Sequence, residues 1–127
     1  MEVVLDIRLI SFVNNIDENY KMIAFGDNEE EKKTENYVIL QRANTFDEQD
    51  KKLGMDSYYI EYNDQSNSGY GVCQEISLKG NLINIKFTTK NKKDIKNIFL
   101  RLDKVKYKKE ELIEYLKFIL GKVLIII

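Results

Sequence analysis

The sequence predicts an α+β fold: a strand-dominated antiparallel sheet of about six to seven strands, one short helix near 46–53, and a C-terminal amphipathic helix packed on the sheet. Three observations predict it. Short runs of alternating apolar and polar residues recur along the chain, bounded by Gly- and Asn-rich turns. Only "KKEELIEYLKFILG" changes to the helical period, with Leu112, Ile113, Leu116, Ile119 and Leu120 on one stripe. The 127 residues contain no linker and no repeat, so residues 1–127 are expected to form one domain.

The elements follow in order. Residues 3–13 alternate, with Val3, Leu5, Ile7 and Leu9 on one face and Asp6 and Arg8 on the other, as a half-buried strand does. "YKMIAF" (20–25) and "NYVILQR" (36–42) are two more strands, joined by the charged hairpin loop "GDNEEEKKTE". Thr45 with Glu48 three places on reads as a capping box, and Gly54 suits the end of the short helix. "SYYIEYN" (57–63) and "GYGVCQEISL" (69–78) read as adjacent antiparallel strands joined by "DQSNS", with Gly69 and Gly71 easing the chain back. Gly80-Asn81 turns into "LINIKFTT", where Ile83, Ile85 and Phe87 share a face; the basic turn "NKKDIK" then leads to "NIFLRL". In the last helix Glu110 and Glu111 occupy the first turn, and Gly121 lies beyond the end.

Several chemistries lack their residues. Without histidine there is no Ser-His-Asp or Cys-His pair. The single cysteine, Cys73, allows no intrachain disulfide; in mid-strand, with Glu75 two places on and expected on its own face, it reads as a packing residue. "SGYGV" leads into a strand and not a helix, so it is no phosphate cradle. Glu61 and Asp64 could serve as an acid/base pair, but nothing in the sequence places a cleft around them. No catalytic residues are assigned. Asp64, Ser66, Ser68, Gly69 and Glu75 match ligand positions of a twelve-residue calcium loop. The flanks are strands where that motif needs helices, and Gly71 stands where an apolar residue belongs, so neither a metal nor another cofactor is expected. The lysine-rich segments around Phe87 and Tyr107 could suggest nucleic acid. Phe87, however, shares its face with Ile83 and Ile85 and reads as core, so no nucleic-acid partner is expected. The N-terminal run carries Glu2, Asp6 and Arg8, and the C-terminal apolar stretch is short and interrupted by charges. Neither a signal peptide nor a membrane segment is expected, and the expected localisation is cytoplasmic.

A net charge of −1 conceals an asymmetry. Residues 1–75 hold 7 basic and 16 acidic side chains, and residues 76–127 hold 13 basic and 5 acidic. Either the two portions occupy different faces and make an acidic surface suited to a basic protein, or the strands intermix and the charges interleave. On "SYYIEYN", Tyr58, Ile60 and Tyr62 share one face, and Tyr59 and Glu61 the other. Whichever face is buried, the second presents an aromatic beside an acid. That pattern fits a binding interface, and it fits cross-strand support of the sheet equally well.

"ENYVILQR", then "FDEQDKKLGMDSYYIEYNDQSNSGYG", then "EISLKGNLINIKF" resembles the immunity protein 10 family of bacterial polymorphic toxin systems, from about residue 20 to the C-terminal helix. The resemblance implies a mostly β protein with a C-terminal helix that binds and neutralises a cognate toxin inside the producing cell, without catalysis. A stand-alone protein- or ligand-binding module is the alternative. The partner-binding candidates are the acids Asp47, Glu48, Asp50, Glu61 and Asp64, the loop residues Gln65 and Asn67, and the tyrosines Tyr59 and Tyr70.

Overall fold

The computed structural model describes residues 1–88 and 94–127. Among these residues ten strands form two five-stranded sheets. The strands are β1 (Glu2–Asp6), β2 (Leu9–Asn15), β3 (Tyr20–Gly26), β4 (Tyr37–Ala43), β5 (Tyr59–Tyr62), β6 (Asp64–Tyr70), β7 (Cys73–Lys79), β8 (Leu82–Phe87), β9 (Asn97–Arg101) and β10 (Leu124–Ile126). The helices are α1 (Glu48–Lys52) and α2 (Lys109–Leu120). The first sheet has the order β1-β9-β8-β7-β10 and the second β2-β3-β4-β5-β6. The second is antiparallel throughout, as short turns require. In the first, β1 runs parallel to β9 and β10 parallel to β7.

The strand-dominated class and the C-terminal helix are as the sequence predicts; the strands are more numerous because two expected runs divide and because Leu124–Ile126, not expected as a strand, pairs with β7 as β10. Residues 3–13 break at Ile7–Arg8. The Ile7 N–H donates to the Arg101 carbonyl of the first sheet (3.0 Å), and the next N–H, of Arg8, donates to the Gly26 carbonyl of the second (2.8 Å). The alternation also changes phase there. Leu5 and Ile7 face the core, but beyond the break Ile10 and Phe12 do, which puts Leu9 on the outer side. The same device recurs at Gly71–Val72: the Gly71 N–H bonds the Tyr58 carbonyl (3.0 Å), and the Val72 carbonyl accepts from Thr88 (3.0 Å). Gly71 holds a φ of +62° at this crossing, which glycine adopts without strain.

Of residues 69–78, therefore, only Gly69 and Tyr70 pair antiparallel with 57–63, opposite Ile60 and Tyr59, while Cys73 onward belongs to the first sheet. "DQSNS" is not a loop but most of β6, which pairs with β5 after a turn at Asn63. Asn63 takes a φ of +65°, accepts from the Tyr37 N–H (2.9 Å) and donates to Asn36 (2.9 Å). β6 escapes the alternation rule because it is an edge strand with little core to face. Thr45 is not the cap of α1: its hydroxyl accepts from Asn19 (2.7 Å). Asp47 caps instead, accepting from the Asp50 N–H (2.7 Å) while Asp50 accepts from the Asp47 N–H (3.1 Å). Part of the expected basic turn, residues 91–93, lies outside the described residues.

Between the sheets lies one buried cluster. The first sheet contributes Leu78, Ile83, Ile85, Ile98 and Leu100; the second, Ile23, Phe25, Val38, Leu40 and Ile60; α2, Leu112, Leu116, Ile119 and Leu120. α2 packs on the inner side of β3 and β4. Tyr115 lies 5.1 Å from Phe12, Lys21 sits 4.6 Å over Phe118, and Arg42 donates to the Ile119 carbonyl (3.2 Å). Gly121 ends the helix at a φ of +56°. A bulge between Cys73 and Glu75 puts Cys73 opposite Phe87 in the core and Glu75 opposite Lys86 on the outer face, so the two do not share a face as alternation predicts.

Tyr58 ties the crossing to the second sheet. Its buried hydroxyl accepts from the Cys73 N–H (2.9 Å) and donates to the Cys73 carbonyl (3.2 Å). Tyr58→Phe is expected to cost about 1–3 kcal/mol, because a buried amide loses its partner with little change in shape. Urea unfolding would show a lower midpoint at unchanged slope; an unchanged midpoint would mean that the amide finds another acceptor.

Candidate partner-binding face

Strands β2 to β4 are apolar on both sides. Ile10, Phe12, Ile23, Phe25, Val38 and Leu40 enter the core, and the intervening Leu9, Val13, Met22, Ala24 and Ile39 point the other way. Two-sided apolar strands normally belong to a sheet covered on both faces. Here α2 and the first sheet lie on one side only. Across the outer face the register lines up Ser11, Ala24, Ile39, Glu61 and Ser68 in one row, and Val13, Met22, Gln41, Tyr59 and Tyr70 in the next. The small side chains of Ser11, Ala24 and Gly26 leave a groove of about 560 Å³, flanked by Tyr37, Ile39 and Thr34. One wall is the 27–36 loop, closed by Asp27, whose carboxylate accepts from the N–H groups of Glu35 (3.0 Å) and Asn36 (3.1 Å).

Glu61 stands on this face on β5, between Ile39 of β4 and Ser68 of the edge strand β6. It is 9% exposed and is the only buried charged residue among those described. Tyr37 donates to its Oε2 (2.5 Å) and Tyr59 to its Oε1 (2.5 Å). None of the ion pairs between described residues includes it. Burial, followed by the hydrogen bond and charge of Glu61, pushes the Tyr37 phenol up to about 12. The same causes raise Tyr59. Both phenols thus remain donors at neutral pH. Tyr70 extends the cluster, its ring 5.3 Å from that of Tyr59. A hollow of about 80 Å³ beside them is lined by Asp50, Met55 and Ser57.

The fold thus gathers Tyr59, Glu61, Tyr70 and Asp50. Asp47 and Glu48 are exposed on α1, Glu48 lying 3.9 Å from Lys51. Asp64 is exposed at the start of β6 and accepts from the N–H of Ser66 (2.8 Å) and from its hydroxyl. The Gln65 carbonyl accepts from Ser68 (2.7 Å). Asn67 turns away from the Ser68–Tyr70 side by strand alternation, and its side-chain amide atoms are buried without a hydrogen-bond partner. Ser66 turns back onto Asp64 where the register with β5 shifts, but Glu75, the last position of the calcium-loop spacing, belongs to the other sheet, so the five positions do not close around one point. Sequence reasoning missed Tyr37 and the apolar floor. The available signal was the two-sided apolar character of 9–13, 22–25 and 38–40.

Charge follows the sheets. Residues 9–70, which build the whole second sheet, carry 13 acidic and 6 basic side chains, a net of −7. Residues 1–8 and 71–127 carry 8 acidic and 14 basic, a net of +6. Two of the six basic residues, Lys21 and Arg42, are turned inward onto α2 and Phe46. By chain segment, the acidic excess thus goes with the strands of the second sheet.

A strand scaffold with an apolar and aromatic outer face has the composition of the surfaces through which proteins bind macromolecules. The chain belongs to the immunity protein 10 family, whose model matches residues 7–108, a stretch that contains the whole second sheet. No similar curated protein is found.

Proposed function

We propose that this protein binds a cognate bacterial toxin and neutralises it in the cytoplasm of the producing cell, without catalysis. The observation that carries this reading is the family match across the second sheet. The concentration of acid in the same part of the chain supports it. A basic toxin, such as one that engages nucleic acid, would be drawn to this surface, and the acids would occupy the place of phosphates. The apolar groove of about 560 Å³ favours a second reading, a stand-alone protein- or ligand-binding module.

The test is capture of the catalytically inactivated toxin domain encoded beside this protein, by wild type and by a variant with Asp47, Glu48, Asp50 and Asp64 replaced by lysine. The wild type is expected to form a stoichiometric complex weakened by salt, and the variant to associate about tenfold or more slowly. Binding indifferent to both would remove the acidic surface from the mechanism. No complex with the wild type would leave the module reading.

A further inference from the structure

We propose that the outer face of the second sheet is a receptor for a partner's arginine side chain, with the guanidinium seated on Glu61 between Tyr37 and Tyr59 and the aliphatic stem lying along the groove. For the identity of the partner, the toxin, this inference rests on the proposed function. The site itself rests on the geometry.

A carboxylate buried in an otherwise apolar face is expensive to maintain, and replacing such groups by apolar ones is often neutral or stabilising. Glu61 is nevertheless held by two phenols, one on each oxygen, and no cation among the described ion pairs neutralises it. Each oxygen keeps further acceptor capacity. The pair therefore matches the planar two-pronged donor of a guanidinium, whose face can also rest on tyrosine rings. The carboxylate is already desolvated and fixed in the free protein, so a partner would not have to bear that cost on binding. Ile39, beside Glu61 in the register, also lines the groove, which continues over Ala24 and Ser11 and suits a methylene stem. The net charge of −7 carried by residues 9–70 favours a cationic occupant over an anionic or purely apolar one.

The test is an amide-resolved NMR titration of the full chain with N-acetyl-arginine amide, with the neutral isostere N-acetyl-citrulline amide as control. Shifts are expected to cluster at Ser11, Ala24, Ile39, Tyr59 and Glu61 with arginine and to be absent with citrulline. In Glu61→Gln, which keeps the shape and one acceptor oxygen and lets the amide NH2 donate to the other phenol's oxygen, they should fall about fivefold or more. Tyr37→Phe should weaken the same cluster and leave the fold intact. Shifts centred on the exposed acids at 29–31 and on Asp47 and Glu48, or unaffected by Glu61→Gln, would overturn the site.

A second arm separates this from the proposed function. Toxin captured by wild type but about tenfold more weakly by Glu61→Gln would join the two. Toxin bound equally well by both would overturn the arginine anchor and leave neutralisation standing. Arginine shifts at Glu61 without any toxin complex would keep the receptor and discard the toxin as its partner.

Discussion

Phe25→Ala is expected to lower stability by about 3–5 kcal/mol, a large share of the roughly 5–15 kcal/mol that holds a domain folded. Phe25 is fully buried on the inner side of β3, between Ile10 and Val38 in the register. It lies in the continuous core between the two sheets. Its removal opens a void that a strand paired on both sides cannot close by moving. Urea unfolding followed by circular dichroism should show the midpoint drop at an unchanged slope. Met22 and Ala24, on the same strand but pointing outward, provide the contrast. Met22→Ala should cost far less, since its half-buried side chain lines the outer face and not the core between the sheets. Comparable losses at Met22 and Phe25 would mean that the outer face is a second core and not an open surface.

The other large effect is alkaline destabilisation. Burial pushes the Cys73 thiol from 9.0 up to about 12, against a lesser opposite influence of its hydrogen bond with Tyr58. Burial first, then the neighbouring Cys73, raises the Tyr58 phenol to about 12. The sign follows from which state keeps its proton. Above pH 9 an unfolded thiol ionises while the folded one stays neutral, so the folded state binds more protons and stability falls as pH rises. The loss begins near pH 9 with Cys73 and is joined near pH 10 by Tyr58 and Tyr37. For Cys73 alone it approaches roughly 4 kcal/mol by pH 12, at about 1.36 kcal/mol per pH unit. Midpoints measured from pH 7 to 11 should decline with a break near 9. Cys73→Ala should delay that break toward 10. A flat profile would show that Cys73 and Tyr58 ionise in the folded state almost as they do in water.

The N-terminal half also shows why a binding face can hide in a sequence. Alternation separates Tyr59 and Glu61 from Tyr58, Ile60 and Tyr62, and that separation survives in the fold because each strand must turn every second side chain to the same face. The pattern does not say which face is covered. Met22, Ala24 and Ile39 look like core because they are apolar; that they stay half-buried outside it is decided by where α2 and the first sheet lie.

By itself the sequence determined the local structure: the strands it placed at 20–25, 36–42 and 82–89, found at Tyr20–Gly26, Tyr37–Ala43 and Leu82–Phe87, the turn at Gly80-Asn81, the stripe of α2, and the acidic excess of the first 75 residues. Those features depend on neighbours a few positions apart, which set backbone preference and periodicity. Only the tertiary structure decided that Ile7–Arg8 and Gly71–Val72 send the chain from one sheet to the other, that "DQSNSGY" pairs as a strand, and that Tyr37 reaches Glu61 across 24 positions. Each of these turns on which backbone amide finds which carbonyl, or which phenol finds which carboxylate, far away in the chain. No local pattern encodes such a pairing, because its free energy exists only once both strands are in place.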